Sequence, residues 1–310
     1  MPVRLVGPAL TVYDSVYNVR LKRSFSGTQV NPEFRMKVST NSLSFRGPEP
    51  DSFPSGGLLY LGDDFTVGYG VSDGEEFPAV VSARLKGTPL GQLPWVNAAR
   101  SNSGIGHWVK FLRREGKQFA PRFVVLQFSD NDFADNIEDR LFSLAPDGGL
   151  VELPVAPAGM GRKAQALIEQ VPLLSNSYLL GLVRQAFHSY SGNSPTGTAG
   201  QQKVDWNAAR PHADSLAMAL LRETASLCRE NGWPAVAILF NLDPSRDSTV
   251  RNLLGSYGIP SASVPGKQAR PDLYYVTDAH LNAAGHEYAA DAVVRLLLSP
   301  PVPEVAAPPR

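Results

Sequence analysis

The chain predicts an α/β fold with a mainly parallel sheet, and three observations carry that expectation. Short continuous apolar runs at Leu58–Leu61, Phe123–Phe128 and Ala235–Phe240 read as strands buried on both faces. Stretches with apolar residues at helical spacing separate them. Chemistry-bearing residues follow the runs directly, at the carboxyl ends where open α/β sheets place their sites. A chain of 310 residues, 43% of them hydrophobic, is long enough to bury a sizeable core. Lys+Arg and Asp+Glu number 29 each, so no net field is expected to recruit nucleic acid or an anionic membrane.

In order, residues 1–56 do not read as part of that sheet. Val12–Leu21, Phe34–Ser39 and Leu43–Arg46 mix alternating positions with Asn, Gly and Pro, which suggests short antiparallel strands in a β-rich extension. Pro48, Pro50, Pro54 and Gly56-Gly57 form a linker. The α/β unit is expected over 57–299. Its helices are read at Phe77–Lys86, Trp108–Glu115, His212–Glu230, Thr249–Tyr257 and Ala283–Leu298, and further strands at Trp95–Ala98 and Ser261–Val264. A long insertion, about 133–203, carries an Asp147-Gly148-Gly149 turn, two helical patterns (Lys163–Gln170, Leu174–Tyr190) and a Gly/Ser-rich loop. Insertions after strand ends commonly build lids and pockets. Residues 300–310 form a Pro/Ala tail.

The single Cys228 excludes an internal disulfide and fits a reducing compartment. The N-terminus lacks a long apolar run with a small-residue cleavage site, and no stretch approaches about 18 apolar residues, so a cytoplasmic protein is the expectation. His107, His188 and His212 show no metal-ligand spacing and His286 reads as packing at a helix start, so neither metal nor cofactor is expected.

Four separated pieces carry the chemistry. The first is Gly62-Asp63-Asp64-Phe65-Thr66-x-Gly68-x-Gly70; the second is Asn97 with Ser103-Gly104-Ile105-Gly106. The third is the strand end Ser129-Asp130-Asn131-Asp132, and the last is Asp278-Ala279-His280-Leu281-Asn282. Together, in this order, they resemble the blocks of the SGNH (GDSL) hydrolases, and Asn41–Gly47 resembles the segment preceding the first block in one bacterial branch. The resemblance implies a three-layer α/β/α, flavodoxin-like fold and an esterase, acyl hydrolase or acyltransferase acting on a small-molecule ester. It implies a backbone oxyanion donor at Gly104, by alignment of Gly-x-Gly across two extra residues after Asn97. It implies a side-chain donor at Asn131 and a general base at His280. Asp278 is expected to orient that base, with Asp272 in reserve, since Thr277 at the longer spacing cannot.

The family's nucleophilic serine position is Asp64 here. Three readings follow: an acyl-transfer scaffold crippled by the carboxylate; an enzyme using Asp64 as nucleophile or acid/base, in epoxide or alkyl-halide opening, dehydration or cyclisation; or a non-catalytic binding protein. Ser72, Ser101, Ser103 and Ser129 lie nearby in sequence, but none sits at the elbow, so a relocated nucleophile is not the expectation. The expectation is that Gly104, Asn131 and His280 converge on Asp64.

Overall fold

The computed structural model describes residues 7–51, 53–156 and 206–299. Five parallel strands form the central sheet: β5 (Leu58–Leu61), β6 (Trp95–Asn97), β7 (Phe123–Ser129), β10 (Ala235–Phe240) and β11 (Ser261–Val264), in the order β6-β5-β7-β10-β11. Numbered along the chain, the order is 2-1-3-4-5, the flavodoxin-like arrangement. The direction of winding reverses between β5 and β7, and the crevice outside their carboxyl ends is where such sheets hold ligands.

The strand side chains alternate between two apolar layers. Leu58, Tyr60, Val125, Val236 and Ile238 pack with α2 (Phe77–Leu85) and α8 (Ala283–Leu298). Leu59, Leu61, Val124, Leu126 and Leu239 pack on the other side with α3 (Ile105–Phe111) and α6 (Trp206–Glu230). Burial on both faces is why Leu58–Leu61, Ala235–Phe240 and, Gln127 apart, Phe123–Phe128 read as apolar runs. The expected strands Ala235–Phe240 and Ser261–Val264 and the helix Ala283–Leu298 lie where the pattern places them. The helix expected at Trp108–Glu115 starts earlier, at Ile105, and widens into a π-helical stretch over Leu112–Gly116. The helix expected at Thr249–Tyr257 is α7 (Pro244–Ser256), begun by Pro244 behind the Asp243 cap.

Among the elements absent from the sequence reading are one helix and one strand. Helix α5 (Asp132–Asp139) follows β7 directly. Strand β3 (Ser26–Val30) pairs antiparallel with β4 (Arg35–Ser39), and β1 (Thr11–Asp14) with β2 (Asn18–Leu21). The Asp147-Gly148 turn does connect a hairpin, β8 (Phe142–Leu144) to β9 (Leu150–Glu152). The helical patterns at Lys163–Gln170 and Leu174–Tyr190, the loop after them and the tail from 300 lie outside the described residues. Among the described residues, no helix is long and apolar enough to cross a membrane.

One side chain ties the N-terminal strands to the turns that follow β5. Arg46 is almost fully buried. Its Nη1 donates to the carbonyls of Val67 and Gly68 at 3.0 and 2.6 Å, and its Nη2 to that of Val71 at 2.7 Å. Its Nε reaches Asp73 Oδ1 at 3.1 Å, and buried Glu76 lies 3.6 Å from Nη2. Arg46→Met should therefore cost about 3–5 kcal/mol of unfolding free energy, the range for breaking one side of a buried ion pair. Denaturant unfolding checks this, and a loss below about 1 kcal/mol would mean that the surrounding carbonyls find other donors.

Candidate active site

The turn after β5 is built to expose one residue. Gly62 permits it, because a Cβ there would lie 2.2 Å from Thr66 Oγ1 and 2.4 Å from Gln127 Oε1. Buried Gln127 of β7 accepts from the Asp63 N–H at 2.9 Å and the Thr66 hydroxyl at 2.8 Å. Asp63 caps the short helix α1 (Asp64–Val67), accepting from the Phe65 N–H at 2.9 Å. Gly68, at φ 86°, ends that helix in the left-handed conformation. Asp64 is left partly exposed at the carboxyl end of β5.

The dyad sits across from this turn. His280 Nδ1 lies 2.5 Å from Asp278 Oδ1, and the same oxygen accepts from the His280 N–H at 3.0 Å. Of the two candidate acids, Asp278 is the one that bonds the His280 ring. Asp272 pairs with Arg270 instead, at 2.6 Å, in the open. The imidazole packs on two aromatic rings from the Asp64 turn, Tyr69 at 4.4 Å and Phe65 at 5.2 Å between centroids. Burial alone would push the His280 pKa down. The Asp278 hydrogen bond and the Asp64 charge outweigh it and raise the pKa above the ordinary imidazole value, so the site favours an imidazolium.

The expected convergence of donors on Asp64 is only partly present, and three corrections follow. No direct hydrogen bond joins Asp64 to His280 among the described residues; the link is electrostatic. Gly104 does not face Asp64: its N–H donates to Asp139 Oδ2 at 2.9 Å as α3 begins. The backbone donor on Asp64 is Asn102, whose N–H meets Asp64 Oδ2 at 3.0 Å. The extra residues between Asn97 and Gly104 turn Gly104 inward against α5 and bring Asn102 to the crevice at φ 51°. Counting five residues on from Asn97, instead of aligning Gly-x-Gly, would have found it. Asn131 does reach the crevice, but its Nδ2 donates to Asp63 Oδ2 at 3.0 Å and Asp135 Oδ2 at 2.7 Å.

Around Asn131 lies a knot of acids. Ser129 Oγ is within 2.7 Å of Asp63 Oδ2, 2.7 Å of Asn131 Oδ1 and 3.2 Å of Asp132 Oδ2. One hydroxyl proton cannot serve three acceptors at once, so the carboxyl oxygens here compete for few donors. Burial pushes Asp63 and Asp132 above the carboxylate range, and their neighbouring acids add to it. Burial raises Asp135 from 3.8 to about 8.

The remaining candidates are occupied elsewhere. Ser72 Oγ accepts from the Lys37 N–H, buried Ser103 donates to the Arg100 carbonyl, and neither bonds His280. Buried His286 accepts from the Phe77 N–H through Nδ1 and is pushed down to about 3 by burial. His107 lies between Asp139 and the Tyr17 carbonyl. Both histidines are packing groups. His188 falls outside the described residues. Among those described, no group of three or more His, Cys, Asp or Glu side chains is arranged to hold a metal.

No family model and no curated protein matches the chain. Among solved structures, it is similar to a psychrotrophic esterase, EstA, from Pseudoalteromonas sp., at 11% identity and TM-score 0.44, over 78% of this chain and 97% of that one. A lipase/acylhydrolase from Enterococcus faecalis gives 14%, TM-score 0.41, and 77% and 94% coverage. A variant of an acetyl-xylooligosaccharide esterase from Geobacillus Stearmophilus gives 14%, TM-score 0.44, and 82% and 100%. At such identities and scores these likenesses add nothing to the chemistry of the site.

The acid knot makes a testable statement about stability. Asp135 binds its proton more tightly folded than unfolded, so its contribution falls as pH rises from about 4 to about 8. Asp135→Asn keeps an acceptor for Asn131 and removes that fall. Denaturant unfolding across this window should show the variant gaining on the parent as pH rises; parallel curves would remove Asp135 from the account. On strand order and register, the chain is a flavodoxin-like α/β protein with an Asp–His pair and a partly exposed carboxylate at its switch point.

Proposed function

We propose that this chain is an SGNH-type acyl-hydrolase or acyltransferase scaffold, built for a small-molecule ester and silenced toward acyl transfer by Asp64. The observation that carries the reading is the 3.0 Å bond from the Asn102 N–H to Asp64 Oδ2. A carboxylate oxygen of the protein sits on a donor of the kind an oxyanion would need. The other donor, the Asn131 amide, is likewise held by carboxyl oxygens. Negative charge developing on a substrate would meet acids where it needs donors.

The base is compromised by the same residue. A histidine accepts a proton from a nucleophile only as neutral imidazole, and the Asp64 charge helps keep His280 protonated. Replacing Asp64 by serine changes three things at once. It supplies a hydroxyl nucleophile, frees the Asn102 N–H and lowers the His280 pKa toward the working range. The orienting contact from Asp278 is already in place at 2.5 Å.

Asp64→Ser should thus create hydrolysis of short-chain aryl esters well above the parent chain. His280→Ala in that background should remove most of the gain, as general-base catalysis contributes roughly 10²–10⁴-fold. Asn131→Ala should cost roughly 10²–10³-fold, the worth of one oxyanion donor. Ester turnover by the serine form, lost in both double variants, supports the proposal. No ester turnover by the serine form, with epoxide or alkyl-halide opening by the parent, would overturn it in favour of carboxylate chemistry.

A further inference from the structure

The geometry points to Glu33, in the turn between β3 and β4, as a positioning residue for the Asp278–His280 pair. The inference rests on the reading of His280 as the working imidazole of this site. Glu33 is about 245 residues from the loop it grips. Its carboxylate accepts from the Thr277 N–H, at 3.0 Å to each oxygen, and from the Asp278 N–H at 2.8 Å. It also takes the Thr277 hydroxyl. Two consecutive backbone N–H groups bound by one carboxylate fix the peptide that precedes the Asp278 side chain. That side chain holds His280 Nδ1.

The turn that presents Glu33 is itself set in shape. Asn31 Oδ1 accepts from the N–H groups of Glu33 and Phe34, both at 2.8 Å, and the Asn31 N–H meets the Phe34 carbonyl at 3.0 Å. Such an Asx turn orders the backbone before any long-range contact forms. Phe34 then enters between Tyr69, at 5.3 Å edge-on, and Tyr275, at 4.9 Å. Tyr69 is the ring beneath His280. Tyr275 donates to the Gly70 carbonyl at 2.8 Å, and the Gly70 N–H lies 3.2 Å from Met36 Sδ of β4.

From the opposite side, Lys267 Nζ donates to the carbonyls of Val276 and Asp278 at 2.8 and 3.1 Å. The loop over residues 275–280 is therefore gripped by its N–H groups from the β3–β4 hairpin and by its carbonyls from Lys267. The hairpin contributes to the site instead of merely packing beside it. Displacing a catalytic group by about 1 Å can cost roughly 10²-fold in rate, so Glu33 acts through Asp278 without touching substrate.

The test compares Glu33→Ala with Glu33→Gln, reading His280 by NMR titration in the parent chain and kcat and KM in the Asp64→Ser background. The glutamine oxygen can keep the acceptor position that serves the Asp278 and Thr277 N–H groups, losing only the second contact to Thr277; alanine loses all of them. The expected result is that Glu33→Ala lowers the His280 midpoint toward that of free imidazole and lowers kcat about 10-fold or more with KM little changed, while Glu33→Gln restores most of both. Equal shifts in the two variants would assign the effect to charge and overturn positioning. An unmoved His280 midpoint in Glu33→Ala, with the fold confirmed by its thermal transition, would overturn it too. Because the titration needs no substrate, it stands even where the serine form hydrolyses nothing.

Discussion

The structure depends on a buried carboxyl group, that of Asp63, which joins the ends of the two strands flanking the switch point. It follows β5, and its oxygens bind the Phe65 N–H of the next turn, Ser129 at the end of β7, and the Asn131 amide just beyond it. A buried acid without a cation must be hydrogen-bonded or protonated. Here it is held by donors from two segments, its own turn and the end of β7, which fixes where Asp64 emerges and where Asn131 points. Gln127, two residues before Ser129, takes the Asp63 N–H and Thr66 and completes the frame.

The frame has an electrostatic consequence. Asp63, Asp132 and Asp135 are all pushed up by burial beside one another, and Asp64 adds charge at the rim. The cationic counterpart is His280, set against Asp278 and raised by both Asp278 and Asp64. The pocket thus favours the imidazolium form of His280 facing acids, the reverse of the neutral base and free donors that acyl transfer requires. A single side chain, Asp64, contributes to both sides of that reversal.

The sheet was legible because its strands are buried on both faces, leaving apolar runs. Helix α8 was legible because its apolar spacing is regular from Ala283 to Leu298. Helix α5 was not: in Asp-Phe-Ala-Asp-Asn-Ile-Glu-Asp the buried positions are Asp132, Phe133 and Asn136, so polar residues fill most of the buried face and eight residues give too short a pattern. Asp278 and His280 were readable as a local pair, because two residues apart they need only a tight turn. Gly104 shows the limit of motif alignment: it bonds Asp139, while the N–H that reaches Asp64 belongs to Asn102, an asparagine at φ 51°. Glu33 left no trace in the sequence, for nothing local ties it to Thr277.

The most direct measurement of this account is the protonation state of His280 in the unmodified chain at neutral pH, read from its imidazole nitrogens by two-bond proton–nitrogen NMR. The account predicts a larger imidazolium fraction than free imidazole would show, which falls when Asp64 is replaced by serine. A neutral imidazole already present in the unmodified chain, unaltered by that replacement, would contradict it.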